Sequence, residues 1–212
     1  MLKIWGRNTS SNVQKVMWAL GELDVPCERI DIGGPFGKNN EAPYLAMNPN
    51  GVVPTLEEDG FILWESNSIV RYLAGKHSQG NASNIKLEPS DLRIRARAQS
   101  WMDWQLSVAN AAIFPVFWGL IRTPPDKRDP KSIEDGKMKC AAMAKMMDDQ
   151  LAKTRFMASD EFSYGDIPVG PVIYRYFRLV PERPAFPNVE RWYKEISARA
   201  AFKTNVLDVP FT

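Results

Sequence analysis

Every strand-like segment of this sequence falls before residue 66. The segments are LKIW (2–5), CERIDI (27–32), VVPTLEE (52–58) and FILWE (61–65), and after residue 78 no convincing strand follows. A chain divided in this way cannot extend one sheet through its whole length. It predicts two domains, an α/β one followed by an all-α one, and 212 residues are enough for both. The composition shifts at SQGNASNIKLEPSD, which holds few apolar residues. The boundaries are therefore set at 1–77 for the first domain, 78–90 for a linker and 91–212 for the helical domain.

Within the first domain, NVQKVMWALGELD places Val13, Val16, Met17 and Leu20 at helical spacing after the N-cap types Ser10, Ser11 and Asn12. Strand, helix and strand over the first 32 residues make a βαβ unit with a parallel pair. GGPFGKNNEAPY reads as a loop with one short helix. Asp59-Gly60 between two strand-like runs signals a hairpin. SNSIVRYLAGKH then sets Ile69, Val70, Leu73 and Ala74 on one helical face. The order β-α-β-(α)-β-β-α is that of the thioredoxin-like fold. In the second domain a long helical stretch carries Pro115, which is expected to kink or break it. A further long helix shows Met143, Met146, Met147 and Leu151 on its apolar side, and two shorter helices follow.

Composition narrows the function. A net charge of +2 gives no reason to expect nucleic acid or an anionic membrane as partner. Cys27 and Cys140 are the only cysteines and form no disulfide framework or zinc pattern. A reducing cytoplasmic compartment is the expectation, with neither signal peptide nor transmembrane helix. His77 is the only histidine, which removes most histidine-based metal sites, and it reads as the end of a helix.

NPNGVVPTL, residues 48–56, sets Pro54 among β-branched residues directly after a turn. Proline is excluded from a central strand. Either the stretch is an ordinary strand entry at an edge after the turn, or a cis Val53–Pro54 bond turns the chain and leaves the backbone groups of Val53 unpaired. Together with LWESNSIVRYL and the helical domain that follows, this stretch resembles the glutathione transferases, and within them the serine-type theta, phi and delta-like group. The resemblance covers essentially the full chain.

It implies a cytoplasmic, homodimeric detoxification enzyme whose co-substrate is glutathione, with no metal. Val53, ahead of Pro54, would pair its N–H and C=O with the cysteinyl part of glutathione as an added strand. Glu65 and Ser66 would hold the γ-glutamyl ammonium and carboxylate at a helix N-terminus. Glutathione supplies the nucleophilic sulfur, so the protein's task is to keep that sulfur ionised. Alignment with Ser-Ser-Pro-Cys-Arg-Ser-Val places the catalytic hydroxyl at Ser10, with Thr9, Ser11 and Asn12 as alternates. No cysteine occupies this loop, which argues against the cysteine-dependent omega- and glutaredoxin-like groups. FSYGDIPVG carries a second family signature, a capping box of Ser163 and Asp166 with Phe162 and Ile167 as its staple.

The acceptor would be a small apolar electrophile bound between the domains, and Trp101, Trp104, Phe114, Phe117 and Trp118 are the candidate lining. Conjugation is the leading function, with hydroperoxide reduction compatible. The alternative is a non-catalytic member of the fold that holds glutathione or a protein partner.

Overall fold

The computed structural model of the chain describes residues 1–77 and 86–212. Most of the linker expected at 78–90 lies outside the described residues. The chain divides into two compact units, residues 1–88 with 200–211, and residues 89–199 with 212.

In the first unit the strands are β1 (Lys3–Trp5), β2 (Glu28–Ile30), β3 (Thr55–Glu58) and β4 (Phe61–Trp64). The helices are α1 (Ser11–Leu23), a short α2 (Ala42–Leu45) and α3 (Ser66–His77). The sheet order is β2-β1-β3-β4; β1 and β2 are parallel, and the other two pairings are antiparallel. The hairpin between β3 and β4 turns at Asp59 and Gly60, both at positive φ, as a tight two-residue turn of this hand demands. Ile4 and Leu56 form the sheet's part of the core. Val13, Val16, Leu20 and Leu23 of α1 pack with Ile69, Val70 and Leu73 of α3.

α1 is buried well beyond one face. Gln14, Lys15, Trp18 and Glu22 are also buried, while Met17, expected in the apolar stripe, is partly exposed. Its additional cover comes from the end of the chain. A helical turn α9 (Ala200–Phe202) and a wider π-type turn over Lys203–Leu207 pack on α1. Trp18 and Phe202 meet edge to face with centroids 4.5 Å apart. The boundary expected at 91–212 is corrected here: residues 200–211 belong with the first unit, because the Trp18 face of α1 binds them.

The second unit holds α4 (Leu92–Trp104), α5 (Asn110–Phe117), α6 (Pro130–Leu151), α7 (Val169–Leu179) and α8 (Pro187–Ser197). Asp91 caps α4 by accepting from the N–H groups of Arg93 and Ile94 at 2.8 and 3.0 Å. Helix continues from Leu92 to Arg122, so Pro115 does not break it. Five-residue π turns at Gln105–Ala109 and Trp118–Arg122 flank the proline's segment and relax the ladder around a residue that donates no hydrogen bond. By length and composition this helix could cross a membrane, contrary to the expectation above. Its Ala109, Ile113 and Val116 are nevertheless buried, and α5 packs on α6 and α7. On α6 the buried side runs through Ile133, Cys140, Met143, Met147 and Leu151, and Met146 is exposed.

Asp166 joins three separate segments of this unit. Its carboxylate accepts from Met157 N–H at 2.9 Å, Ser163 N–H at 3.1 Å and Trp192 Nε1 at 2.8 Å. Half of the expected capping box is thus present: Asp166 reaches back to Ser163, whose Oγ accepts instead from Gly165 N–H. The motif shapes the turn ahead of α7 and does not start the helix itself, which begins at Val169. Burial pushes the Asp166 carboxyl up to about 6, and the hydrogen bonds act against that rise. Asp166→Ala strands three buried donors and is expected to lower stability by about 3 kcal/mol or more in urea unfolding. A loss under about 1 kcal/mol would show that the donors find other partners.

Candidate active site

The sheet register collects the expected site residues at one end. Trp5 and Trp64 both pair with Thr55, and Ile30 lies beside Trp5. The segments that follow β1, β2 and β4 and the one that precedes β3 therefore emerge at the same edge. They carry Arg7 to Ser10, Gly33 and Gly34, Glu65 and Ser66, and Val52 to Pro54.

A cavity of about 210 Å³ opens there, lined by Arg7, Ser10, Gly33, Gly34, Asn39, Gly51, Val52 and Val53. Ser10 is the N-cap residue of α1, with extended backbone, and its side chain makes no capping hydrogen bond. Of the four candidates for the catalytic donor it is the one among the lining residues; Thr9, Ser11 and Asn12 are not. Arg7 lies across Gly34, where a Cβ would stand 2.8 Å from Nε of Arg7. Gly34 has a φ of +58° besides, so two constraints favour glycine at that position.

The turn before Val53 is held by buried side chains. Asn48 Nδ2 donates to Val52 C=O at 2.8 Å and to Thr55 Oγ1 at 3.2 Å, and Asn48 Oδ1 accepts from Asn50 N–H at 3.1 Å. Tyr44 OH donates to the same Val52 carbonyl at 2.7 Å. Burial pushes the Tyr44 phenol up, which keeps it a neutral donor. Asn39 Nδ2 donates to Gly51 C=O at 2.7 Å. The Val53–Pro54 peptide is cis. Neither N–H nor C=O of Val53 has a hydrogen-bond partner among the described residues. The backbone is thus secured up to Val52 and open at Val53.

Glu65 and Ser66 stand at the head of α3, outside the lining of the cavity. Glu65 is exposed at φ +71°, and its carbonyl accepts from Ile69 N–H at 2.9 Å. Ser66 is buried and is the first residue of the helix. Lys15 of α1 donates through Nζ to Ser66 Oγ and to Asn67 Oδ1, both at 3.3 Å.

The five aromatic candidates of the second unit divide. Phe114 and Trp118 are 57% and 51% exposed and stack with centroids 5.2 Å apart. Trp101 and Trp104 pair edge to face and are half-buried. Phe117 is corrected to a core residue: it is 7% exposed, and the Arg175 guanidinium lies 4.0 Å from its ring centre. Among the described residues no group of three or more His, Cys, Asp or Glu is placed to hold a metal ion.

Arg7, Asn48 and Lys15 were not singled out from the sequence. GRNTSS and NPNG read locally as turns, which they are. A lysine in a helix reads as solvated, and only the contact with α3, fifty-odd residues on, gives it a place in the site.

Comparison with known proteins identifies the family. The family described as glutathione S-transferase, N-terminal domain, matches residues 5–81, and its C-terminal domain counterpart matches residues 105–200. The chain is 42% identical over 209 residues to glutathione S-transferase GstB of Escherichia coli K12, with 98% of each chain covered. The crystal structure of a theta-class glutathione S-transferase from Xanthomonas axonopodis pv. citri, with glutathione bound, matches with a TM-score of 0.93 at 38% identity, covering 100% of this chain and 99% of that one. Glutathione transferase F7 from Populus trichocarpa matches at a TM-score of 0.85 and 28% identity, with 97% of each covered. The chain belongs to the glutathione S-transferase family.

Asn48→Ala tests the support of the open backbone. It is expected to cost about 1–3 kcal/mol in stability and to speed amide hydrogen exchange at Asn50 and Gly51, whose N–H groups donate to Asn48 Oδ1 and Asn48 C=O. Unchanged exchange there would mean that Tyr44 alone holds the turn.

Proposed function

We propose that the protein is a glutathione transferase that binds glutathione at the sheet end of its first unit, ionises the thiol, and adds the sulfur to a small apolar electrophile. The observation that carries this reading is that Ser10 and the unpaired backbone of Val53 line one cavity. Glutathione's cysteinyl N–H and C=O are the complement that Val53 lacks. The γ-glutamyl carboxylate fits the head of α3, where a helix leaves N–H groups without intrahelical partners. Glu65, exposed beside it, offers a carboxylate to the γ-glutamyl ammonium.

A free thiol has a pKa of about 8.5 and is only a few per cent ionised at neutral pH. The Ser10 hydroxyl donating to sulfur, near the N-terminus of α1, favours the thiolate. The Arg7 guanidinium on the same cavity wall acts in the same direction. The thiolate then attacks the electrophilic carbon. A carbon–sulfur bond forms, and a leaving halide departs with its electron pair, or an activated alkene takes up a proton at carbon. Phe114 and Trp118, exposed and stacked, are the aromatic pair of the second unit best suited to an apolar acceptor. The family resemblance supports a homodimer, a detoxification role and a cytoplasmic setting; sedimentation at micromolar concentration tests the dimer.

The test of the thiolate reading is ultraviolet absorbance of bound glutathione against pH. Ser10→Ala is expected to raise the bound thiol's pKa by about one unit or more, because a charge-assisted hydrogen bond contributes roughly 1.5–3 kcal/mol. Turnover at neutral pH falls about tenfold and recovers in part as pH rises and the thiol ionises unaided. Thr9→Ala, Ser11→Ala and Asn12→Ala leave the titration in place. If Ser10→Ala leaves it unmoved, the assignment fails. Retention on immobilised glutathione without conjugation of any of a broad electrophile panel would instead support the non-catalytic role.

A further inference from the structure

Lys15 is a charged side chain that is 1% exposed, in the middle of α1. An ammonium group removed from water is costly unless it is hydrogen-bonded. Among its partners are Ser66 Oγ and Asn67 Oδ1, both at 3.3 Å, the first two side chains of α3. They stand where the γ-glutamyl carboxylate of glutathione is proposed to bind.

The chemistry of these contacts has a direction. An ammonium carries three donors and no acceptor. A hydroxyl that accepts from it must aim its own proton elsewhere, so Ser66 Oγ–H is turned away from Lys15 and kept as a donor. Asn67 commits its carbonyl oxygen to Lys15, which turns its amide N–H groups the other way. A hydrogen bond from a cation also polarises the hydroxyl and strengthens it as a donor. The positive charge, being buried, is little screened by salt and favours an anion at the helix end beyond Ser66. All three effects favour a carboxylate, and none acts on a neutral group to the same degree.

We infer that Lys15 is a positioning residue for the thiol co-substrate. It fixes Ser66 as a donor and selects thiols that carry the γ-glutamyl α-carboxylate over those that lack it. The inference rests on the reading of the α3 head as the γ-glutamyl site. Lys15 acts through Ser66, so its effect falls on the affinity and choice of thiol and not on ionisation of the sulfur.

The test compares two ligands by calorimetric titration: glutathione, and 4-aminobutyryl-cysteinyl-glycine, which keeps the amine and lacks the α-carboxylate. The proteins are the wild type, Lys15→Met, Lys15→Gln, Lys15→Arg and Ser66→Ala, each checked for folding by thermal melting. Lys15→Met is expected to weaken glutathione binding about tenfold or more and the analogue less than about threefold. Lys15→Gln, which can still hydrogen-bond and has the better prospect of folding, shows the same preference in smaller measure. Lys15→Arg restores most of the affinity for glutathione. In turnover, KM for glutathione rises in Lys15→Met while kcat at saturation stays within about threefold. Equal weakening of both ligands by the neutral variants, or no weakening, would overturn the inference and leave Lys15 as a brace between α1 and α3. If Ser66→Ala discriminates between the ligands and the Lys15 variants do not, the inference fails alone. If the wild type binds both ligands equally, the α3 reading fails with it.

Discussion

The position of Thr55, opposite Trp5 on one side and Trp64 on the other, is the constraint on which the site depends. Side chains on a strand alternate between faces, so a slip of one residue would turn Leu56 out of the core and Thr55 away from Tyr44 and Asn48. Leu56 is buried and must stay inside, which fixes the register. Once it is fixed, the chain enters β3 from Pro54 and leaves β4 into Glu65 at the same edge. The proposed thiol-binding residues are therefore neighbours by topology, although Ser10 and Ser66 are far apart in the chain. The hydrogen bonds of Asn48 and Tyr44 then refine this placement to a particular backbone group.

Features encoded by neighbouring residues were legible in the sequence. Asp59-Gly60 must turn, because both positions need positive φ. Pro54 in an apolar run had to be an exception to strand pairing, and it lies just outside β3. Ser66 at the start of a periodic apolar pattern had to open a helix. The features that were missed depend on distant partners. Phe117 has the same local appearance as Phe114, and the Arg175 guanidinium on its ring distinguishes the two. Met17 and Trp18 are adjacent, and only the arrival of Phe202 decides which is buried. The capping-box spacing of Ser163 and Asp166 was correct as a pattern, yet Met157 and Trp192 draw the carboxylate into a wider role that no window of sequence contains.

The polar residues of α1 illustrate the same point from the energetic side. Glu22 accepts from Trp18 Nε1 at 2.8 Å, one turn away, and Lys15 reaches α3. A helix with such residues in its interior reads as amphipathic, and the fold covers it nevertheless. Burial of polar groups is tolerated because each finds a directional partner, and the partners then specify orientation in a way that apolar contacts do not.

The return of residues 200–211 to the first unit has a consequence for how the chain is made. Synthesis proceeds from the N-terminus, and α1 leaves the ribosome long before Phe202 exists. Until the last residues emerge, the Trp18 face of α1 has no cover and Gly21 lacks Ala201, against which it packs so closely that a Cβ there would come within 2.9 Å. The first unit therefore completes its interior only after the whole second unit has been translated. A nascent chain stalled before residue 200 would display that apolar face, and a fragment ending at residue 88 would be an incomplete fold and not an independent domain.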